Sequence, residues 1–102
     1  MLFQNKFMIE VEMLDVGGKK LLGLKVDLPN APLLLLIHER LVVGCGYISV
    51  EAMEKVGNAA CVVRGVRGFQ DVSSAEIAEL TSKAEELGVR RGMKVEEALE
   101  ML

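Results

Sequence analysis

A chain of 102 residues that is 51% hydrophobic fits one domain around a single packed core. Its net charge of −3 and its pI of 5.2 come without any basic run, which argues against general nucleic-acid binding, a task that needs a positive surface to neutralise phosphates. The densest apolar run, residues 33–37, falls far short of the roughly 20 residues that cross a bilayer, and one histidine with two cysteines outside any CxxC spacing leaves no zinc-ligand set.

In chain order, Phe7, Ile9, Val11 and Met13 alternate with Met8, Glu10, Glu12 and Leu14, the period of two that marks a half-buried strand. Gly17-Gly18 is a turn signal, and Leu22, Leu24, Val26 and Leu28 alternate beyond it, so residues 6–15 and 21–28 read as the two strands of a β-hairpin. Pro29-Asn-Ala-Pro32 closes that hairpin with a loop. The continuous run Leu33 to Ile37 then predicts a central strand covered on both faces. His38-Glu39-Arg40 is a short turn, and Leu41 to Gly44 is the returning strand.

Ser49 stands as a helix N-cap with Glu51 in the first turn, and Gly57 supplies the left-handed stop, which predicts a short helix over 50–56. Residues 59–64 are apolar and β-branched, a strand that ends at Gly65-Val-Arg-Gly68 and that could run parallel to the strand before the helix. Ser73 and Glu76 have capping-box spacing, and Ile77, Leu80, Ala84 and Leu87 follow as a stripe, so a helix over about 73–87 is expected, with Glu79 and Lys83 as an i,i+4 pair. A last helix, about 95–102, would turn Val95, Ala98, Leu99 and Leu102 inward, with Glu96, Glu97 and Glu100 on a solvated face. The order β-β-β-β-α-β-α-α is an α+β pattern: a two-layer sandwich with a mainly antiparallel sheet and helices on one face.

The chemistry concentrates at one place. Cys45 lies between Gly44 and Gly46, where the backbone can be approached closely, and four residues ahead of the Ser49 helix start. Arg64 and Arg67 flank Gly65 and Val66, and arginine is suited to bidentate contacts with carboxylate or phosphate. If the two strands are neighbours, Cys45, Gly46, Arg64, Gly65 and Arg67 could form an anion pocket. The alternative is a small buried cysteine at a crowded strand end and arginines paired with Asp71, Glu51 or Glu54. Cys61, in an apolar strand, reads as core. His38 has no partner from which a triad could be built. No GxGxxG and no GKS or GKT sequence is present to cradle a nucleotide.

Three blocks in a fixed order carry a family resemblance: Cys45-Gly46-Tyr47 after a strand, Gly65-Val66-Arg67 after a helix and strand, and Leu87-Gly88-Val89-Arg90 with Gly92-Met93 and Glu97-Ala98-Leu99 near the end. In these the chain resembles the YunC-like family, small uncharacterised proteins of bacteria and archaea, over about residues 24–102. The resemblance implies a compact two-layer fold of helices and sheet and no particular activity.

The start Met1-Leu-Phe-Gln-Asn-Lys6 lacks a basic leader followed by a long apolar stretch, and the expectation is a cytoplasmic protein with reduced thiols and no cofactor or metal. A mean hydropathy of +0.33 with sparse aromatics, in a chain whose hairpins leave apolar edges, predicts a homo-oligomer, most simply a two-fold dimer. Three functions remain open on the sequence: a non-enzymatic domain that binds a partner or a small anionic ligand near Cys45 and Gly65–Arg67, an enzyme with Cys45 as nucleophile and Arg64 or Arg67 as anion stabiliser, and a pure interaction subunit.

Overall fold

The structure, a computed structural model, describes residues 8–102. Among the described residues six strands form one sheet in strictly sequential order: β1 (Ile9–Val16), β2 (Lys19–Asp27), β3 (Pro32–His38), β4 (Leu41–Gly44), β5 (Ala60–Val62) and β6 (Glu79–Leu80). Every pair is antiparallel except β4 and β5, which run parallel and are joined through helix α1 (Val50–Val56). The remaining helices are α2 (Phe69–Val72), α3 (Ser82–Glu86) and α4 (Val95–Glu100). Among the described residues no helix is long and apolar enough to cross a membrane.

Both hairpins and the parallel crossover follow the sequence pattern. Gly17 and Gly18 have φ of +59° and +77°, the left-handed pair that a two-residue hairpin turn requires. Ser49 Oγ accepts the Ala52 N–H at 3.0 Å, and Gly57 ends α1 in the left-handed conformation.

Alternation along the ladder sorts side chains onto two faces. One face carries Leu21, Leu36, Leu41, Val43, Cys61 and Val63, and packs against Val72 of α2, Ala84 of α3 and Val95, Ala98 and Leu99 of α4 in a single buried cluster. The opposite face is covered at β4 and β5, where Ala60 and Val62 are buried outside that cluster and α1 packs over β5. The two-layer arrangement is therefore built by α2, α3 and α4, with α1 lying across the other side. Over β1, β2 and β3 no helix among the described residues covers that second face. Ile9, Val11 and Met13 point there and are largely exposed, so β1 keeps the expected alternation while its apolar side is the wet one. Phe7, read as part of the same stripe, lies outside the described residues.

The helix expected over 73–87 is replaced by α2, an extended segment, β6 and α3. The reason is non-local hydrogen bonding. The Val95 N–H donates to Ala75 O, Glu96 N–H to Ser73 O, Ile77 N–H to Met93 O and Gly92 N–H to Ile77 O, so residues 73–77 pair with 92–96. The Ala78 and Thr81 N–H groups then donate to Val62 O and Ala60 O on β5. Ile77 and Ala84 are buried as the stripe demanded, yet they reach the core from an extended segment and a helix rather than from one helix. Ser73 and Glu76 form no capping box. Glu79 pairs with Arg64, just past the end of neighbouring β5, and not with Lys83.

The cap is Thr81. Its side chain is buried, and its Oγ1 accepts the Ala60 N–H at 3.0 Å and the Ala84 N–H at 3.3 Å while donating to Asn58 O at 2.8 Å. One hydroxyl thus starts α3 and joins it to the entrance of β5.

Two substitution series test this account by urea unfolding. Thr81→Val keeps the shape and strands two buried donors, so it is expected to cost about 2 kcal/mol or more, with Thr81→Ser recovering most of the loss. At the hairpin, Gly18→Ala should cost about 1–2 kcal/mol for left-handed backbone strain alone. Gly17→Ala should cost clearly more, because its new Cβ would lie 2.5 Å from the Glu96 carbonyl oxygen, whereas nothing lies within 4 Å at Gly18.

Candidate functional site

Because β4 and β5 are parallel, both leave the sheet at the same end, and β3, antiparallel to β4, begins there. Three loops therefore meet: residues 28–31 entering β3, residues 45–49 leaving β4 and residues 63–68 leaving β5. Between them lies a cavity of about 300 Å³ lined by Ala31, Pro32, Cys45, Gly46, Tyr47, Gly65, Val66 and Arg67.

Each wall is fixed by backbone pairing. The Cys45 N–H donates to Leu34 O at 3.1 Å, extending the β3–β4 ladder by one residue, and the Ile48 N–H returns to Cys45 O at 3.0 Å to close a tight turn over Gly46-Tyr47. The Val63 N–H donates to Gly44 O at 2.9 Å and holds the β5 exit against β4. Tyr47 Oη donates to Ala31 O at 3.3 Å, tying the first loop to the second. Gly65 has φ of +75° with open space around it, so it is required there for its backbone conformation and not to make room.

The two arginines differ. Arg64 forms an ion pair with Glu79, the residue opposite Val62 on β6, and does not line the cavity, although its Nη1 lies near Gly46. Arg67 is held through its backbone: its N–H and that of Gly68 donate to Asp71 Oδ2 at 3.0 and 3.2 Å. Among the described residues the Arg67 guanidinium has no ion pair and no hydrogen bond, and it borders the cavity. The pairing anticipated with Asp71 is thus made by the Arg67 main chain, and Glu54 is taken by Ser82, whose N–H and hydroxyl hold its carboxyl below the usual carboxylate range.

Cys45 is 5% exposed, and its Sγ accepts the Leu34 N–H at 3.3 Å. Cys61 lies under the helical layer, where burial pushes its thiol up to about 12. Both cysteines are free. His38 sits at the far end of β3, with Nδ1 accepting the Arg40 N–H at 3.1 Å. Four residue rises along the strand from Leu34 put it roughly 13 Å from the Cys45 end.

Of the residues picked out by the sequence, Cys45, Gly46, Gly65 and Arg67 share the cavity and Arg64 stands behind it. Ala31, Pro32, Tyr47 and Val66 complete the lining and were not singled out as facing a ligand. The β3–β4 register opposes Leu35 to Gly44, and that register is the signal that would have brought residues 31–32 to Cys45.

Comparison with known proteins gives two matches. The family model described as a domain of unknown function, DUF1805, matches residues 44–102, which include Cys45 through Arg67 and exclude Ala31 and Pro32. Among solved structures, a protein of unknown function from Thermoplasma acidophilum is similar at 31% identity and a TM-score of 0.89, over 99% of this chain and 99% of that one. No curated protein matches. The chain belongs to the DUF1805 family, a domain of unknown function.

Proposed function

We propose that this chain is a non-enzymatic, homo-oligomeric domain, of the YunC-like kind within its family, that binds a small anionic ligand at the Cys45/Gly65–Arg67 end of its sheet. The observation that carries the reading is that Arg67, whose guanidinium has no ion pair among the described residues, lines a cavity whose other side chains are mostly apolar. A guanidinium presents a planar fork of donors that fits a carboxylate or phosphate in bidentate fashion. Ala31, Pro32, Tyr47 and Val66 would accept the apolar body of such a ligand, the usual division of labour in small-molecule sites. Arg64 has a supporting part: its ion pair with Glu79 fixes the side chain beside Gly46 and leaves Arg67 as the cation for the ligand.

A second reading, an enzyme with Cys45 as nucleophile, draws on Cys45 being one of the cavity-lining residues. Against it stand the near-complete burial of Cys45, the Leu34 N–H already on its sulfur, and the distance to His38.

Two measurements separate these readings. Thermal unfolding of the wild type against inorganic phosphate, acetate and benzoate is expected to show stabilisation by at least one of them. Binding at ten times Kd adds about 1.4 kcal/mol, roughly 5–10 °C for a domain of this size. Arg67→Ala should abolish that shift and leave the unliganded midpoint near wild type; no shift with any of the three anions would count against an anionic ligand. In native thiol titration at pH 7, Cys61 is expected to be silent and Cys45 slow, with two equivalents appearing only in denaturant. Fast modification of Cys45 that phosphate or benzoate protects would turn the choice toward the enzyme.

A further inference from the structure

We propose that the uncovered aliphatic face of β1, β2 and β3 seats a second copy of this chain, the two sheets stacking face to face about a two-fold axis. This deepens the oligomeric part of the reading above and is independent of the cavity.

The first support is the sidedness of β1. Ile9, Val11 and Met13 are 68%, 60% and 66% exposed, and their ladder neighbours Leu22 and Ile37 are 39% and 38% exposed. The charged residues Glu10, Glu12 and Lys25 point to the other face, toward the helical side. An antiparallel sheet with one wet side normally turns its polar residues to the water. Here three strands turn three aliphatic residues each to it, and the only charges on that face of the ladder, Asp15 and Lys20, stand at its hairpin end and pair with each other.

Size and shape suit the same occupant. The exposed part of this face is roughly a tenth of the chain's 6059 Å² surface, the share that a standard interface takes from a small protein. It also reaches the upper end of the roughly 300–600 Å² found for the largest apolar patch on ordinary monomers. Beside it, α1 rises from the same face over β5. A helix is about 10–12 Å thick and a stacked sheet lies about 10 Å away, so α1 forms a step one sheet-layer high. A second sheet laid on the open strands meets that step flush. With a two-fold axis through the open strands, the two copies form an aligned β-sandwich with one α1 at each flank. An aliphatic patch whose flanking charges, Asp15 and Lys20, already neutralise each other is complementary to itself, which is what an isologous contact requires.

The test is light scattering on size-exclusion peaks at tens of micromolar, with Val11→Lys, Met13→Lys and Glu12→Lys, each checked for folding by circular dichroism. The wild type and Glu12→Lys are expected at dimer mass. Val11→Lys and Met13→Lys are expected at monomer mass and folded, since both positions are already exposed in the single chain. A wild-type monomer leaves the face to another occupant and overturns the oligomer and the face together. A dimeric Val11→Lys or Met13→Lys overturns the face alone, and loss of the dimer in Glu12→Lys moves the contact to the β1 edge. Retention or loss of the anion response that depends on Arg67 is read separately, so failure of one proposal does not mimic failure of the other.

Discussion

The parallel pairing of β4 with β5, set in an otherwise antiparallel sheet, is the constraint on which the rest of the molecule depends. A meander sends successive loops to alternate ends of the sheet. One parallel pair breaks that rule and sends two consecutive exits to the same end, where the start of β3 already lies. The bonds from Val63 N–H to Gly44 O and from Cys45 N–H to Leu34 O are the last rungs before the three segments part, and they set how closely the loops approach. Open sheets with parallel strands bind ligands beyond the strand carboxyl ends for this geometric reason. The analogy lies in where the space arises and extends to nothing chemical.

The same crossover divides the two faces. A parallel connection has to pass over the sheet, and α1 takes the side that α2, α3 and α4 leave free. Its seven residues can cover about two strands, which bury Ala60 and Val62 and leave β1 to β3 bare on that side. The helical side is closed differently, by the extended segment 73–77 running against 92–96 and delivering α4 onto the sheet. Burial on the helical face and exposure on the other thus have one origin. The helices after β5 all return to one side, and the short helix before it cannot reach the far strands.

Local signals specified what local signals can. Gly17-Gly18, Ser49 with Gly57, and Val95, Ala98 and Leu99 each act within a few residues, and each is where the pattern placed it. The segment 69–87 was illegible for a physical reason. Ile77, Leu80, Ala84 and Leu87 satisfy helical spacing, yet the same spacing arises when a strand of two residues runs into a capped turn. The deciding partners of Thr81 are Ala60 and Asn58, more than twenty residues away. Arg64 is the same case in the site: its partner Glu79 becomes adjacent only once Val62 and Glu79 are ladder neighbours. The lining residues Ala31, Pro32 and Tyr47 likewise depend on strand register, which the runs of leucine and valine leave open.

The two arginines around Gly65 show how one loop can assign opposite tasks to identical side chains. Arg64 follows the strand closely enough for its guanidinium to reach across to β6, where Glu79 neutralises it at an exposed site whose ion pair contributes little to stability. Three residues on, past the left-handed turn at Gly65, the chain has changed direction. Asp71 now binds the main chain of Arg67 and Gly68 instead of the Arg67 side chain, so the carboxylate best placed to neutralise Arg67 is already occupied. The loop is therefore anchored without spending the guanidinium. That group also borders two further depressions, one with Lys25, Glu10 and Glu12 and one with Asp27 and Asn30, so carboxylates and a second cation lie around it without an ion pair to it. Glu10 and Asp27 are instead engaged with Lys25, which leaves the Arg67 charge uncompensated by either. A buried arginine would be driven to find a partner within the fold. At this rim water meets the need, and the charge stays available to whatever enters the cavity.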